Sequence, residues 1–115
     1  MSVSPPSDFA GPSAGFRIEV QPARHRVLVA PHGELDIATV PNLGQELDGL
    51  VERGFRAIVI DLRPTTFIDS SAVHLLLRQT ARHDAAVSVI PGSRIVTRVL
   101  DIAGVRDVLP FEPAP

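Results

Sequence analysis

Apolar and polar positions along the chain change their period several times, and each change marks an element. Phe16, Ile18 and Val20 alternate with Arg17 and Glu19, the two-residue period of a half-exposed strand. Pro22 to His25 reads as a turn and Val27 to Ala30 as a second short strand, so the pair predicts a hairpin. Pro31 has no N–H to donate and should end that strand's pairing on one side. The period then lengthens. Thr39 is a competent N-cap, Pro41 falls in the first helical turn, and Val40, Leu43, Leu47, Leu50 and Val51 form an apolar stripe at helical spacing. Gly54 stands where a helix-ending glycine belongs.

Ala57 to Ile60 is an uninterrupted apolar run, the mark of a strand buried on both faces at the centre of a parallel sheet. Ile58 and Ile60 should face one way and Val59 the other. Arg63 to Ile68 reads as a loop, and a second helix is predicted from about Ser70 to His83, with Val73, Leu76, Leu77 and Thr80 inward. Ala86 to Ile90 is the next strand. Pro91 and Gly92 turn the chain, and Ser93 caps a third helix. Ile95, Val96, Val99, Leu100 and Ile102 give that helix a broad apolar face, and Gly104 stops it. Val108 to Phe111 has room for a short final strand. The order β-β-α-β-α-β-α implies right-handed crossovers, and the hairpin makes the sheet mixed. The expectation is an α/β fold, a mixed β-sheet flanked by helices.

The ends break the pattern. Met1 to Gly15 is rich in Ser, Pro and Gly without any period, which predicts a flexible tail over 1–15. The folded domain should occupy 16–111, and 112–115 reads as a short disordered ending.

Composition narrows the function classes. With 115 residues the chain holds one domain, and 44% hydrophobic residues can fill one core. Five Phe with no Trp or Tyr leave that core aliphatic and argue against base-stacking surfaces. The net charge is -2 and all basic residues are Arg, with no basic stripe, so a nucleic-acid partner lacks its electrostatic footprint. Cysteine is absent, which excludes disulfides, thiol nucleophiles and Cys-ligated zinc. No signal-peptide pattern opens the chain, and no apolar run approaches the ~20 residues of a membrane span. The default expectation is a cytoplasmic protein without a membrane partner.

In a sheet of this kind, sites form at the carboxyl ends of the parallel strands. Two segments should converge there: Gly33-Glu34-Leu35-Asp36, after the second strand, and Phe67-Ile68-Asp69-Ser70-Ser71-Ala72, at the entry to the second helix. Asp69 and Ser70 are suited to helix capping, worth roughly 1 kcal/mol. A helix start also tolerates added negative charge, because its N–H groups and dipole favour anions, so Ser70 could carry a phosphate without unfolding the domain. Asp36 suits a turn, with Gly33 permitting the backbone bend. Ser70 and His74 are one helical turn apart, but no nucleophile elbow precedes them and no third residue is marked to orient His74, so catalysis is not expected. His25, His32, His74 and His83 have no ligand spacing, and no phosphate-cradling glycine loop is present; no metal or cofactor is expected.

Phe67-Ile68-Asp69-Ser70-Ser71 resembles the Asp-Ser-Ser or Asp-Ser-Thr motif of STAS domains in anti-sigma factor antagonists (anti-anti-sigma factors). Gly33-Glu34-Leu35-Asp36 is similar to the family's Gly-x-Leu-Asp segment. The strand ending in Asp61-Leu62 and the stretch from Val99 to Val105 also fit, so the resemblance spans about residues 16 to 111. It implies a bacterial partner switch in transcription regulation. An anti-sigma factor, a serine kinase of the histidine-kinase-like ATPase fold, would bind a surface of Asp36, Asp69, Ser70, Ser71 and His74 and phosphorylate Ser70. A phosphatase would reverse this, and the free protein would be a monomer or weak dimer. The chain departs from the family in having Ala72 in place of a glycine and His74 in place of a small residue. Other STAS proteins are scaffold subunits of stress-signalling assemblies or accessory parts of lipid-transport systems, which is the alternative reading.

Overall fold

The computed structural model describes residues 15–115; residues 1–14 of the expected tail lie outside the described residues. Strands β1 (Arg17–Pro22) and β2 (Val27–Leu35) form the expected antiparallel hairpin, with Ile18 opposite Pro31 and Val20 opposite Val29. Helix α1 (Val40–Glu52), strand β3 (Ala57–Asp61), strand β4 (Thr65–Ile68), helix α2 (Ser70–Thr80), strand β5 (Ala86–Ile90) and helix α3 (Arg94–Ile102) follow. The sheet order is β1-β2-β3-β5, with β4 also pairing to β2. All pairings beyond the hairpin are parallel, so the sheet is mixed as expected.

Two strand readings need correction. β2 does not stop at Ala30 but runs to Leu35, so Gly33, Glu34 and Leu35 lie within the strand and not after it. Arg63 to Ile68 is not all loop, since Thr65–Ile68 forms β4. The reason is a change of partner along β2. Its first half pairs with β3, over Val27 to Val29, and its last three residues pair with β4. Pro31 lies in the gap between the two pairings, so the lapse expected at the proline does occur. Its free carbonyl is taken by the Thr65 hydroxyl at 2.7 Å, a buried bond from the first residue of β4. The ladder also shifts register between Gly33 and Glu34, where Gly33 sits at φ 105°, a conformation that other residues rarely adopt. The suggested final strand is a single parallel bridge between Val89 and Phe111.

The core lies on one face of the sheet. Val27, Val29, Ile58, Ile60, Val87 and Val89 pack there with Leu43 and Leu47 of α1, Leu75 and Leu76 of α2, and Val96 and Leu100 of α3. Val59 points to the opposite face and is equally buried, so the central strand is covered on both sides as its sequence required. On that face Glu112 accepts from Ser88 and pairs with Arg26, and Pro115 lines a groove with Leu28 and Ala30. Glu112, expected in a loose ending, is therefore anchored.

The helices bury different residues from those expected. In α2, Ala72, Leu75 and Gln79 are buried, whereas Leu77 and Thr80 are only half-buried. α1 runs alongside and extends the covered arc: an atom at the Cβ position of Gly44 would touch Leu75, and Gln79 donates to Asp48. In α3 only Val96 and Leu100 are buried, and Ile95 and Ile102 are 60% and 76% exposed.

Ile58→Ala should lower the stability measured by urea unfolding by about 2 to 5 kcal/mol, the range for core truncations that leave a cavity. Gly92→Ala should destabilise as well without removing any contact, because its new Cβ would lie 2.4 Å from the Leu62 carbonyl oxygen. An unchanged urea midpoint for either variant would contradict this packing.

Candidate functional site

The partner change in β2 creates the site. Because β4 lies against the last residues of β2, Leu35 stands opposite Ile68, and the two chains leave the sheet together, one towards α1 and the other into α2. The Asp69 N–H still donates to the Leu35 carbonyl at 3.4 Å, one step past the strands. The Gly33–Asp36 and Phe67–Ala72 segments thus converge at the carboxyl edge of the sheet, as the sequence implied.

The turn from Asp36 to Val40 is bonded to itself. The Asp36 carboxylate accepts the N–H groups of Ala38 at 3.0 Å and Thr39 at 3.2 Å. The Asp36 carbonyl accepts from Val40 at 2.8 Å. Asp36 is the turn residue it was expected to be. Thr39 is at the N-cap position, but its side chain does not cap α1. Its backbone is near the helical region rather than extended, so the hydroxyl turns back, accepting from the Asp36 N–H and donating to the Glu34 carbonyl. That inward wiring accounts for the complete burial of Thr39.

Asp69 is the N-cap of α2. One carboxylate oxygen, Oδ1, accepts the N–H groups of Ser71 at 3.0 Å and Ala72 at 3.2 Å and the Ser71 hydroxyl at 2.5 Å. The other, Oδ2, accepts the N–H of Ile37 at 3.1 Å, from the opposite turn. Partial burial works against ionisation of Asp69, but these donors together outweigh it and hold its pKa below the ordinary carboxylate value. Asp61, at the carboxyl end of β3, shows the same balance. Burial opposes its charge, and the bidentate grip of Arg63, at 2.8 and 2.9 Å, lowers its pKa nonetheless.

The two serines differ sharply. Ser71 is half-buried and its hydroxyl is committed to Asp69. Ser70, the first residue of α2, is exposed, and its hydroxyl has no hydrogen bond among the described residues. His74 is exposed one turn further on, without a hydrogen bond to Ser70. Sequence reasoning missed two exposed apolar side chains at this edge, Ile37 at 78% and Phe67 at 42%. Ile37 follows directly on Asp36 and fits neither the strand nor the helical stripe, which was the available signal. Among the described residues no cluster of three or more His, Asp or Glu could hold a metal ion, and no helix is long and apolar enough to cross a membrane.

A family model for the STAS domain matches residues 17–114. The chain belongs to the STAS domain family. Among curated proteins, an anti-sigma-B factor antagonist of Staphylococcus aureus is 29% identical over 80 residues, covering 67% of this chain and 74% of that protein. Among solved structures, an anti-sigma factor antagonist from Mycobacterium paratuberculosis superposes with a TM-score of 0.77 at 22% identity, over 90% of each chain. The anti-sigma factor antagonist SpoIIAA in its unphosphorylated form gives 0.66 at 23% identity, over 87% of this chain and 88% of that one. The likeness in fold extends over the mixed sheet and its helices.

The lowered pKa values of Asp61 and Asp69 give the acid response of this STAS domain a direction. Well above about pH 4, the ordinary carboxylate value, Asp61 and Asp69 are ionised in both the folded and the unfolded chain, and their bonds contribute fully. As pH falls the unfolded chain takes up protons first, so stability drops until the folded carboxylates are protonated as well. The urea midpoint should decline as pH falls below about 4, the ordinary carboxylate value, because both folded-state pKa values lie beneath it. Asp69→Asn should remove part of that slope, and an identical slope in wild type and variant would refute the assignment.

Proposed function

We propose that this STAS domain is an anti-sigma factor antagonist, switched off by phosphorylation of Ser70. The carrying observation is the contrast between the exposed, unbonded hydroxyl of Ser70 and the committed hydroxyl of Ser71. A kinase active site needs a hydroxyl that it can enclose and deprotonate. Taking Ser71 would first require breaking its bond to the helix-capping carboxylate.

In this reading the partner is an anti-sigma factor of the serine-kinase type, which docks on the edge formed by Asp36, Asp69, Ser70, Ser71 and His74. Binding draws the anti-sigma factor away from its sigma factor and so regulates transcription. A phosphate adds about -1.5 to -2 charges. At the start of α2 that charge meets favourable N–H dipoles, so the domain keeps its fold. At the interface the same charge must be desolvated beside the carboxylates of Asp36 and Asp69, so the complex weakens. A phosphatase resets the switch, and the free protein stays a monomer or weak dimer with this edge open. The names of the Staphylococcus and Mycobacterium relatives support the antagonist reading, and the description of SpoIIAA as unphosphorylated supports a phosphorylation switch.

The test incubates the protein with ATP and each kinase-type anti-sigma factor of the source genome, purified in turn, followed by mass spectrometry. Phosphate should appear on Ser70. Ser70→Ala should stay folded and bind the anti-sigma factor whether or not ATP is present. Ser70→Asp should fold and bind more weakly, by less than the phosphate does because a carboxylate carries less charge. Phosphate confined to Ser71 or to residues 1 to 15 would overturn the site. No phosphate with any kinase would favour a STAS scaffold or transport subunit instead.

A further inference from the structure

The N–H groups of the Asp36–Val40 turn are all satisfied, and one of them stands apart. Asp36 donates to the Thr39 hydroxyl, Ala38 to the Asp36 carboxylate, and Thr39 and Val40 to the Asp36 carbonyl. Only the Ile37 N–H finds its acceptor outside the turn, on Asp69 Oδ2. The result is an apolar side chain that is 78% exposed while its backbone is held from both sides. Exposed apolar side chains on loosely held loops can fold back against the protein. Here the turn's own bonds and the Asp69 tether keep Ile37 directed into solvent, next to the residue that precedes Ser70.

Asp69 therefore has two separable functions. Oδ1 alone accepts all three donors from α2, and Oδ2 alone accepts from the neighbouring turn. Helix capping needs only the first oxygen. The second makes the position of Ile37 depend on the residue beside Ser70.

We propose that Asp69 is a positioning residue for the docking surface, holding Ile37 beside the Ser70 hydroxyl so that the anti-sigma factor meets an apolar anchor and the phosphorylation site as one unit. The partner that fits is a protein with an apolar recess next to its phosphoryl-transfer centre. Exposed and desolvated on binding, Ile37 supplies affinity, and Ser70 supplies the point at which that affinity is cancelled. The inference rests on the proposed antagonist function.

Asp69→Asn separates the two functions. Three donors of α2 compete with one from the turn for the single remaining oxygen, so the amide oxygen stays on the helix and the amide NH2 is turned towards the Ile37 N–H, donor against donor. Hydrogen exchange measured by NMR on the free protein should show the exchange of the Ile37 amide accelerated in Asp69→Asn by a larger factor than that of the Ile58 and Ile60 amides, which report the global loss of stability. Affinity for the anti-sigma factor should be measured for wild type, Asp69→Asn, Ile37→Ala and the double variant. Each single change should weaken binding about tenfold, whereas in the Ile37→Ala background Asp69→Asn should add less than about twofold, the non-additivity of residues acting through one contact. Ile37→Leu should keep most of the affinity, as a conservative rescue. Additive effects of the two substitutions, or an Ile37 amide accelerated no more than those of Ile58 and Ile60, would overturn the proposal. Wild-type protein that binds none of the anti-sigma factors would defeat the antagonist function and the docking role with it, and the exchange measurement would still decide whether Asp69 holds the turn.

Discussion

The fold turns on one missing hydrogen-bond donor. Among the described residues β2 is the longest strand and the only one that pairs with three others, and Pro31 divides its inner edge into two pairing surfaces. A strand's N–H and C=O at one residue point to the same side, so Pro31 offers that edge a carbonyl and nothing else. β3 stops short of this point, and the Thr65 hydroxyl satisfies the carbonyl from the head of β4. β4 then completes the edge along Gly33 to Leu35. Had β3 continued in register, the residues after β4 would not reach Asp36, and the two turns would have no common carboxylate. The convergence of Asp36, Ile37, Asp69 and Ser70 thus follows from a backbone constraint located away from all four.

The same wiring divides stability from surface chemistry. Asp36, Thr39 and Asp69 spend their polar atoms on backbone groups of the turn after β2 and the start of α2, and the Ser71 hydroxyl is given to the Asp69 carboxylate. Each such bond is worth roughly 0.5 to 1.5 kcal/mol net, and more when a carboxylate is the acceptor. Ser70 and His74 spend nothing on the fold, since both are exposed and neither bonds to the other. The surface residues are therefore free to vary or be modified at little structural cost, and the residues around them are not.

What the sequence made legible follows from how locally each feature is encoded. Ala57 to Ile60 could be read as the central strand because burial on both faces leaves an uninterrupted apolar run. The lapse at Pro31 was legible from the chemistry of one residue, and the start of α2 from Asp69. β4 was not, because four residues between Pro64 and Asp69 are too few to show a period. Its Thr and Phe content was a signal of strand, but its existence depends on β2 extending past the proline. Ile95 and Ile102 were expected inward because they continue the α3 stripe. Over nine residues, only Val96 and Leu100 are buried and Val99 packs partly against the core, so the stripe is narrower than its apolar content. The Ile37–Asp69 bond was beyond sequence reasoning altogether. It joins a backbone N–H, which every residue but proline has, to a carboxylate 32 positions away.

These features bear on what kind of switch the domain can support. A switch that works by refolding needs a bistable element, with bonds that one state makes and the other breaks. The carboxyl edge has no slack of that kind: the turn after β2 is fully bonded, the cap of α2 has three donors, and the two are tied through one carboxylate. Ser70 takes part in none of these bonds, so altering it perturbs none of them directly. In the proposed reading a modification there acts by changing the charge presented to a partner, while the apolar part of the surface stays where the tether holds it. In that reading, release then needs no conformational change in this protein. It requires only that the cost of desolvating the added charge exceed what the apolar contact contributes, and a phosphate of about -1.5 to -2 charges beside fixed carboxylates meets that condition more readily than any neutral modification of the same hydroxyl.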